Sequence, residues 1–257
     1  MLKFIHTIFI LILLNSQSLA EKINFDEFVV NKYLKTKLSS GEWYLAVKER
    51  DSYYGLWFDA YTLAKIENEL VTELIFIGVA DVAGVYESYV NEAVHEIVFK
   101  NKHDGCYERP EYYLLELYKR GNSVNCLTVS HLDTNKELNF PDDPTVSYAQ
   151  LKKWLKDNNL ILPKVMLSSH HLYFSRLSRG QMLEIQYITD PKLLNSPKIN
   201  KFLEETSEFH KNNIDNFPGH KKIMDNWISI AAKRHREFEK NVKIRKHHAL
   251  DLNKYLN

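Results

Sequence analysis

Three times along this chain, two short runs rich in aromatic and β-branched residues flank a polar break, and each time a stretch of helical periodicity follows. The paired runs are Glu42 to Lys48 with Tyr53 to Phe58, Tyr112 to Lys119 with Val124 to Leu132, and Val165 to Arg176 with Met182 to Thr189. The breaks are Glu49-Arg50-Asp51-Ser52, Arg120-Gly121-Asn122-Ser123 and Ser178-Arg179-Gly180, so each pair predicts a β-hairpin. Helical stripes are expected before and between them. Phe25, Phe28, Val29 and Leu34 mark a helix over Asp26 to Leu38, and Leu63, Ile66, Leu70 and Leu74 mark a second. Tyr86, Val90, Ala93, Val94, Ile97 and Val98 mark a third, and Tyr148, Leu151, Trp154 and Leu155 place a fourth within Val146 to Asn158. Helical spacing returns after Pro197 through Phe202 and Phe209, then after Gly219 through Ile223, Trp227, Ile230 and Phe238. The expected fold is α+β: an antiparallel sheet built from three β-hairpins, helices packed over it, and a long C-terminal helix.

The first twenty residues read differently from the rest. Lys3 forms a basic start, Phe4 to Leu14 is apolar apart from His6 and Thr7, and Ser18-Leu19-Ala20 supplies small residues at a cleavage site. Residues 1–20 are thus expected to be a secretory signal peptide, with 21–257 a single α+β domain and no linker dividing it. The run is shorter than the ~20 apolar residues of a spanning helix, which disfavours an uncleaved anchor. Export to a periplasm or the cell exterior, after cleavage following Ala20, makes Cys106 and Cys126 a disulfide candidate. Closing a loop of that length is worth about 3 kcal/mol in the loop-entropy model. The absence of an Asn-x-Ser/Thr sequon and the Lys/Asn/Ile-rich wording point to a bacterial source.

Several function classes lose support. Formal net charge is +1, which removes the electrostatic case for nucleic acid as a partner. None of the eight glycines has Rossmann or P-loop spacing, and no cofactor is implied. His-Glu-x-x-His and Gly-x-Ser-x-Gly are absent, so no metal site and no catalytic residue is assigned by motif. Glu92 and His95 share a helical face, but a di-metal bundle needs a second such pair.

What remains are constellations. Trp43, Tyr44, Tyr54 and Trp57 gather within the first hairpin and are the candidate ligand-binding platform, since Trp and Tyr combine apolar area with a polar tip. Covering helices would instead make them core. In the strand from Val165 to Arg176, His170 shares a face with Met166, Leu172 and Phe174, while His171 shares the other with Leu167, Ser169 and Tyr173. One of these histidines is expected to be buried, and adjacent histidines in a strand cannot bind one metal together. Acidic residues dominate 63–97 and basic ones 220–248, where Ile223, Trp227, Ile230 and Phe238 oppose a cationic face. That segment suits either an internal packing role or peripheral contact with an anionic membrane. His247-His248 is an adventitious metal candidate in a frayed tail.

The sequence therefore favours an exported protein, periplasmic by preference, that acts by binding an unknown ligand or envelope protein. The alternatives are a secreted hydrolase joining His170 or His171 to Ser168, Ser169 or a distant carboxylate, and a structural envelope component.

Overall fold

The computed structural model describes residues 21–24, 26–30, 34–53, 56–80, 106, 108, 112–120, 123–139, 148–175 and 181–256. The chain opens with β1 (Glu21–Ile23) and a two-stranded ribbon of β2 (Glu27–Val29) and β3 (Lys35–Lys37). A meander follows: β4 (Trp43–Tyr53), β5 (Leu56–Glu67) and β6 (Leu70–Ala80). The next strands are β7 (Tyr112–Arg120) and β8 (Ser123–Asp133), then α1 (Thr134–Leu138) and α2 (Tyr148–Asp157), then β9 (Val165–Ser175) and β10 (Gln181–Thr189). After several 3-10 turns, α3 (Pro218–Val242) runs for 25 residues. The fold is α+β, mostly antiparallel sheet with few helices.

The main sheet has eight strands in the order β1-β4-β5-β6-β10-β9-β8-β7, every pair antiparallel. Two meanders, β4-β5-β6 and β7-β8-β9-β10, meet where β10 pairs with β6. β6 and the β8-β9 pairing, neither of them expected from the sequence, join the strands into one continuous sheet.

Four local expectations are corrected. Within Asp26 to Leu38 the described residues carry the two strands of the ribbon, not a helix: Thr36 points inward between exposed Lys35 and Lys37, a period of two. Leu63 to Leu74 is the β5-β6 hairpin: Leu63 packs on one face of the sheet while Ile66 and Leu74 pack on the other. Its turn needs two left-handed residues, and Asn68 (φ 51°) and Glu69 (φ 63°) supply them without glycine. In the first hairpin the polar run Glu49 to Ser52 lies inside β4, where Arg50 sits 3.8 Å from Asp59 across the strands, and the turn falls later. Phe202 and Phe209 lie among 3-10 turns. The helix expected over 86–98 and the Pro141 to Pro144 loop lie outside the described residues.

Each face of the sheet has its own core. On one, Leu63, Ile75, Ile77, Leu127, Leu167, Tyr173 and Ile185 pack against Trp227, Ala231, Ala232 and Phe238 of α3. On the other, Val47, Ala64, Leu74, Phe76, Met166 and Ile188 receive Leu151 and Leu155 of α2. The apolar stripe of α3 faces the sheet, and Trp227 Nε1 donates to the Ser168 carbonyl at 3.0 Å. Cys106 and Cys126 form the disulfide, with Cα atoms 5.9 Å apart. No helix among the described residues is long and apolar enough to cross a membrane.

Candidate functional site: a cleft between the last helix and the ribbon

Where α3 passes the β2-β3 ribbon, the two do not close on each other. Between them lies a cleft of about 460 Å³, lined by Thr36 and Leu38 beside the ribbon, Ile185 and Tyr187 of β10, and Arg234 and Phe238 of α3 among others. Helical geometry explains the α3 contribution. Arg234, Phe238 and Asn241 follow one another at i+4 and i+7, on the edge of the stripe that carries Trp227 into the core. Asn241 Nδ2 donates to the Lys35 carbonyl at 3.4 Å, tying the helix to the ribbon at the rim. Thr36 and Tyr187 share a hydroxyl-hydroxyl hydrogen bond of 2.6 Å across the wall.

Charge is distributed unevenly in this cleft. Lys35 pairs with Glu27 at 3.0 Å, and Lys37 lies 4.0 Å from Glu237. Arg234 is different. Its guanidinium carbon lies 4.4 Å from the centre of the Tyr187 ring and 5.2 Å from that of Trp227, and among the described residues no carboxylate is within ion-pair reach. Burial pulls the guanidinium below its ordinary pKa, while Tyr187, Glu73 and Glu237 act in the opposite sense. Burial likewise pushes the Tyr187 phenol up, so it stays a neutral hydroxyl donor at physiological pH. Part-buried and without a carboxylate partner among the described residues, this guanidinium keeps its N–H fork available to an anion entering the cleft. Behind Ser39, at the end of the cleft, Glu73 accepts from Ser39 Oγ at 2.6 Å and from Lys65 Nζ at 3.1 Å, so this neighbouring pair is internally balanced.

Beneath the Tyr187 wall runs a chain of buried polar groups. Ser169 Oγ lies 3.2 Å from His171 Nε2, and His171 Nδ1 lies 3.1 Å from His235 Nδ1. His235 Nε2 then meets Asn125 Oδ1 at 3.0 Å and Glu239 Oε1 at 3.5 Å. Asn125 Nδ2 donates in turn to Glu239 at 2.7 Å and to the His248 carbonyl at 3.0 Å. Both imidazoles are fully buried and nearly parallel, with centroids 5.2 Å apart, and His171 also abuts the Tyr187 ring edge-on. Burial first, then the positive neighbours His235, Arg234 and His170, hold the His171 pKa well below its ordinary value. Burial also lowers that of His235, although Glu239 opposes it. The assigned partners give one consistent polarity: Ser169 donates to His171, His171 to His235, and His235 to Asn125 and Glu239.

The residues singled out from the sequence are dispersed. Trp43 is 2% exposed, its Nε1 donating to the Ser39 carbonyl at 2.9 Å. Tyr44 is half-buried and donates to Glu42. Trp57 is 51% exposed beside Arg50, at the opposite end of the β4-β5 pair from Trp43, and Tyr54 lies outside the described residues. Trp43, Tyr44 and Trp57 are not brought to one surface. His170 and His171 do point to opposite faces: His170 Nε2 meets Glu184 Oε1 at 2.7 Å, away from the cleft. Ser169 is brought to His171, whereas Ser168 Oγ accepts from Gln186 Nε2 at 2.9 Å. Ile223, Trp227 and Phe238 of α3 are buried and Ile230 is partly so, leaving the lysines of 220–248 exposed while Arg234 and Arg236 are part-buried. His248 is not in a frayed tail: it is buried against Tyr118, with ring centroids 4.6 Å apart. Glu92 and His95 lie outside the described residues.

Arg234, Thr36, Tyr187 and His235 were not legible as a site. One signal was available, since Arg234 follows Ile230 by four and precedes Phe238 by four, a cation set into an apolar stripe. Comparison with protein-family models, curated proteins and solved structures finds no match.

Proposed function

We propose that this chain is an exported binding protein, and that its ligand is a small organic anion seated in the cleft between α3 and the ribbon. The observation that carries the reading is Arg234, a part-buried guanidinium beside the Tyr187 and Trp227 rings with no carboxylate partner among the described residues, opening onto a cleft of ligand size. Export rests on the composition of residues 1–20 and is consistent with the Cys106–Cys126 bridge. The first experiment is native mass spectrometry of the protein from its own host, without reductant. The expected species begins at Glu21, is oxidised at both cysteines, and carries a non-covalent mass that Arg234→Gln loses. A full-length reduced chain would overturn export, and an added mass indifferent to Arg234→Gln would overturn the cleft.

A serine hydrolase is the second reading, favoured by the 3.2 Å approach of Ser169 Oγ to His171 Nε2. Ser169 is wholly buried on the sheet, directly cross-strand from Tyr187, so acylation requires the cover over that face to open. Labelling of Ser169 by a fluorophosphonate, absent in Ser169→Ala, is the outcome that would favour this reading over binding.

A further inference from the structure

The walls of the cleft narrow the ligand class, given the reading of this cleft as an anion site. The Tyr187 and Trp227 rings lie close to the guanidinium of Arg234, at 4.4 and 5.2 Å, and engage its π surface. What it has left to offer is its N–H fork, which matches a planar carboxylate with two parallel hydrogen bonds. Lys35 and Lys37 already have Glu27 and Glu237, so the ribbon adds little unbalanced charge. Lys240 has no carboxylate partner among the described residues, but it stands six positions beyond Arg234, about 9 Å along the helix axis. A polyphosphate or a compact polyanion needs several fixed donors around one point, and this cleft presents one forked cation. The apolar part of the lining is Leu38, Ile185, Phe238 and the Tyr187 ring, and the remainder is polar, with Thr36, Ser39 and Asn241 beside the charged rim.

We infer that the cleft takes an amphipathic carboxylate, its carboxyl group forked on Arg234 and its apolar body lying along Leu38, Ile185 and Phe238. Such an acid has two common sources, a straight acyl chain or an arylalkanoate, and both present the same head group.

Isothermal titration of the full chain, disulfide intact, with decanoate and with 3-phenylpropionate tests this and separates the two. Decanol and inorganic phosphate are the controls. One of the acids is expected to bind, with decanol weaker by about tenfold or more, because decanol cannot offer a charged acceptor to the guanidinium. Arg234→Gln is expected to weaken the acid by a similar factor. Arg234→Lys should recover only part of it, since an ammonium keeps the charge and loses the fork. Should the variants fail to fold, phenylglyoxal modification of Arg234 in the wild-type protein, followed by peptide mass, must slow when the acid is present. Equal binding of decanol and decanoate, or full affinity in Arg234→Gln, overturns the inference. Phosphate binding that depends on Arg234, without acid binding, overturns the carboxylate and leaves the anion cleft standing. No anion binding and no protection of Arg234 overturns both.

Discussion

Acid should weaken this fold well before its carboxylates titrate, and the cause is the buried His171–His235 pair. In the neutral state a single hydrogen lies between the two Nδ1 atoms, which are 3.1 Å apart. One added proton has a place: with Nδ1–H of His235 directed at His171, the Nε2–H of His171 turns to Ser169 Oγ, and Glu239 stands beside His235. A second added proton has none, because both Nδ1 atoms would then be donors facing each other. The unfolded chain is free to protonate both residues near the ordinary histidine value of about 6.5. Where the folded pKa lies below the unfolded one, stability is fully present above the unfolded value and is lost as pH falls below it. At least one proton therefore separates the two states from about pH 6.5 downward, a slope of about 1.4 kcal/mol per pH unit. By pH 4.5 the loss amounts to about 2.7 kcal/mol, a large part of the ~5–15 kcal/mol typical of a domain. His248, lowered first by burial and then by His247 and Arg245, acts in the same direction. Glu239 and Glu184 join at lower pH. Burial raises each, but His235 and its companions on one, and His170 on the other, leave both below the ordinary carboxylate range. The assay is urea unfolding at fixed ionic strength between pH 7.5 and 4.5, without reductant. A free energy flat to within about 0.5 kcal/mol between pH 7 and 5 would refute the reasoning, since even the singly protonated pair predicts about 2 kcal/mol there.

Reducing the Cys106–Cys126 bridge should cost about 3 kcal/mol of stability, visible as a lower urea midpoint with and without reductant, and Cys126→Ser should reproduce it. Glu69→Gly should stabilise the fold by up to about 1 kcal/mol, read as a higher urea midpoint, because Glu69 is exposed and holds φ 63° in a turn that glycine adopts without strain. Trp227→Ala should cost about 3–5 kcal/mol, removing both a fully buried indole and its hydrogen bond to the Ser168 carbonyl, as read by thermal unfolding. Trp57→Ala should change stability by less than about 0.5 kcal/mol, its side chain being half exposed, and a larger loss would mean that the outer end of the β4-β5 hairpin is packed more tightly than its exposure indicates.

Strand and helix were legible where each residue type acted alone. The hairpin carrying His170 and His171 follows from β-branched and aromatic alternation, and the last helix from the spacing of Ile223, Trp227 and Phe238. The β5-β6 hairpin was not legible, because Leu63, Ile66, Leu70 and Leu74 satisfy the helical period by coincidence, while Leu63 packs on one face of the sheet and Ile66 and Leu74 on the other. A sheet covered on both sides loses the polar half of its alternation, and with it the signal that tells strand from helix. The turn between them added nothing, since Asn-Glu lacks the glycine by which such turns are found.

The site was hidden for a related reason. Asn125, Ser169, His171 and His235 come from three elements and are fully buried, so no local window contains more than two of them. Each taken singly reads as a polar residue in an otherwise apolar strand or helix, and its meaning lies in the partner across the fold. Arg234 is the adjacent case with the opposite outcome: the same helix turn that sends His235 into a chain of satisfied hydrogen bonds leaves Arg234 against two aromatic rings, with no side-chain partner for its donors among the described residues. Satisfied polar groups in a core orient the elements that carry them. A part-buried cation at the mouth of a cleft, without a carboxylate partner among the described residues, has no such structural account. That difference between neighbours on one helix is why the imidazole pair is read as the latch that seats α3 on the sheet, and the guanidinium as the point where a ligand is held.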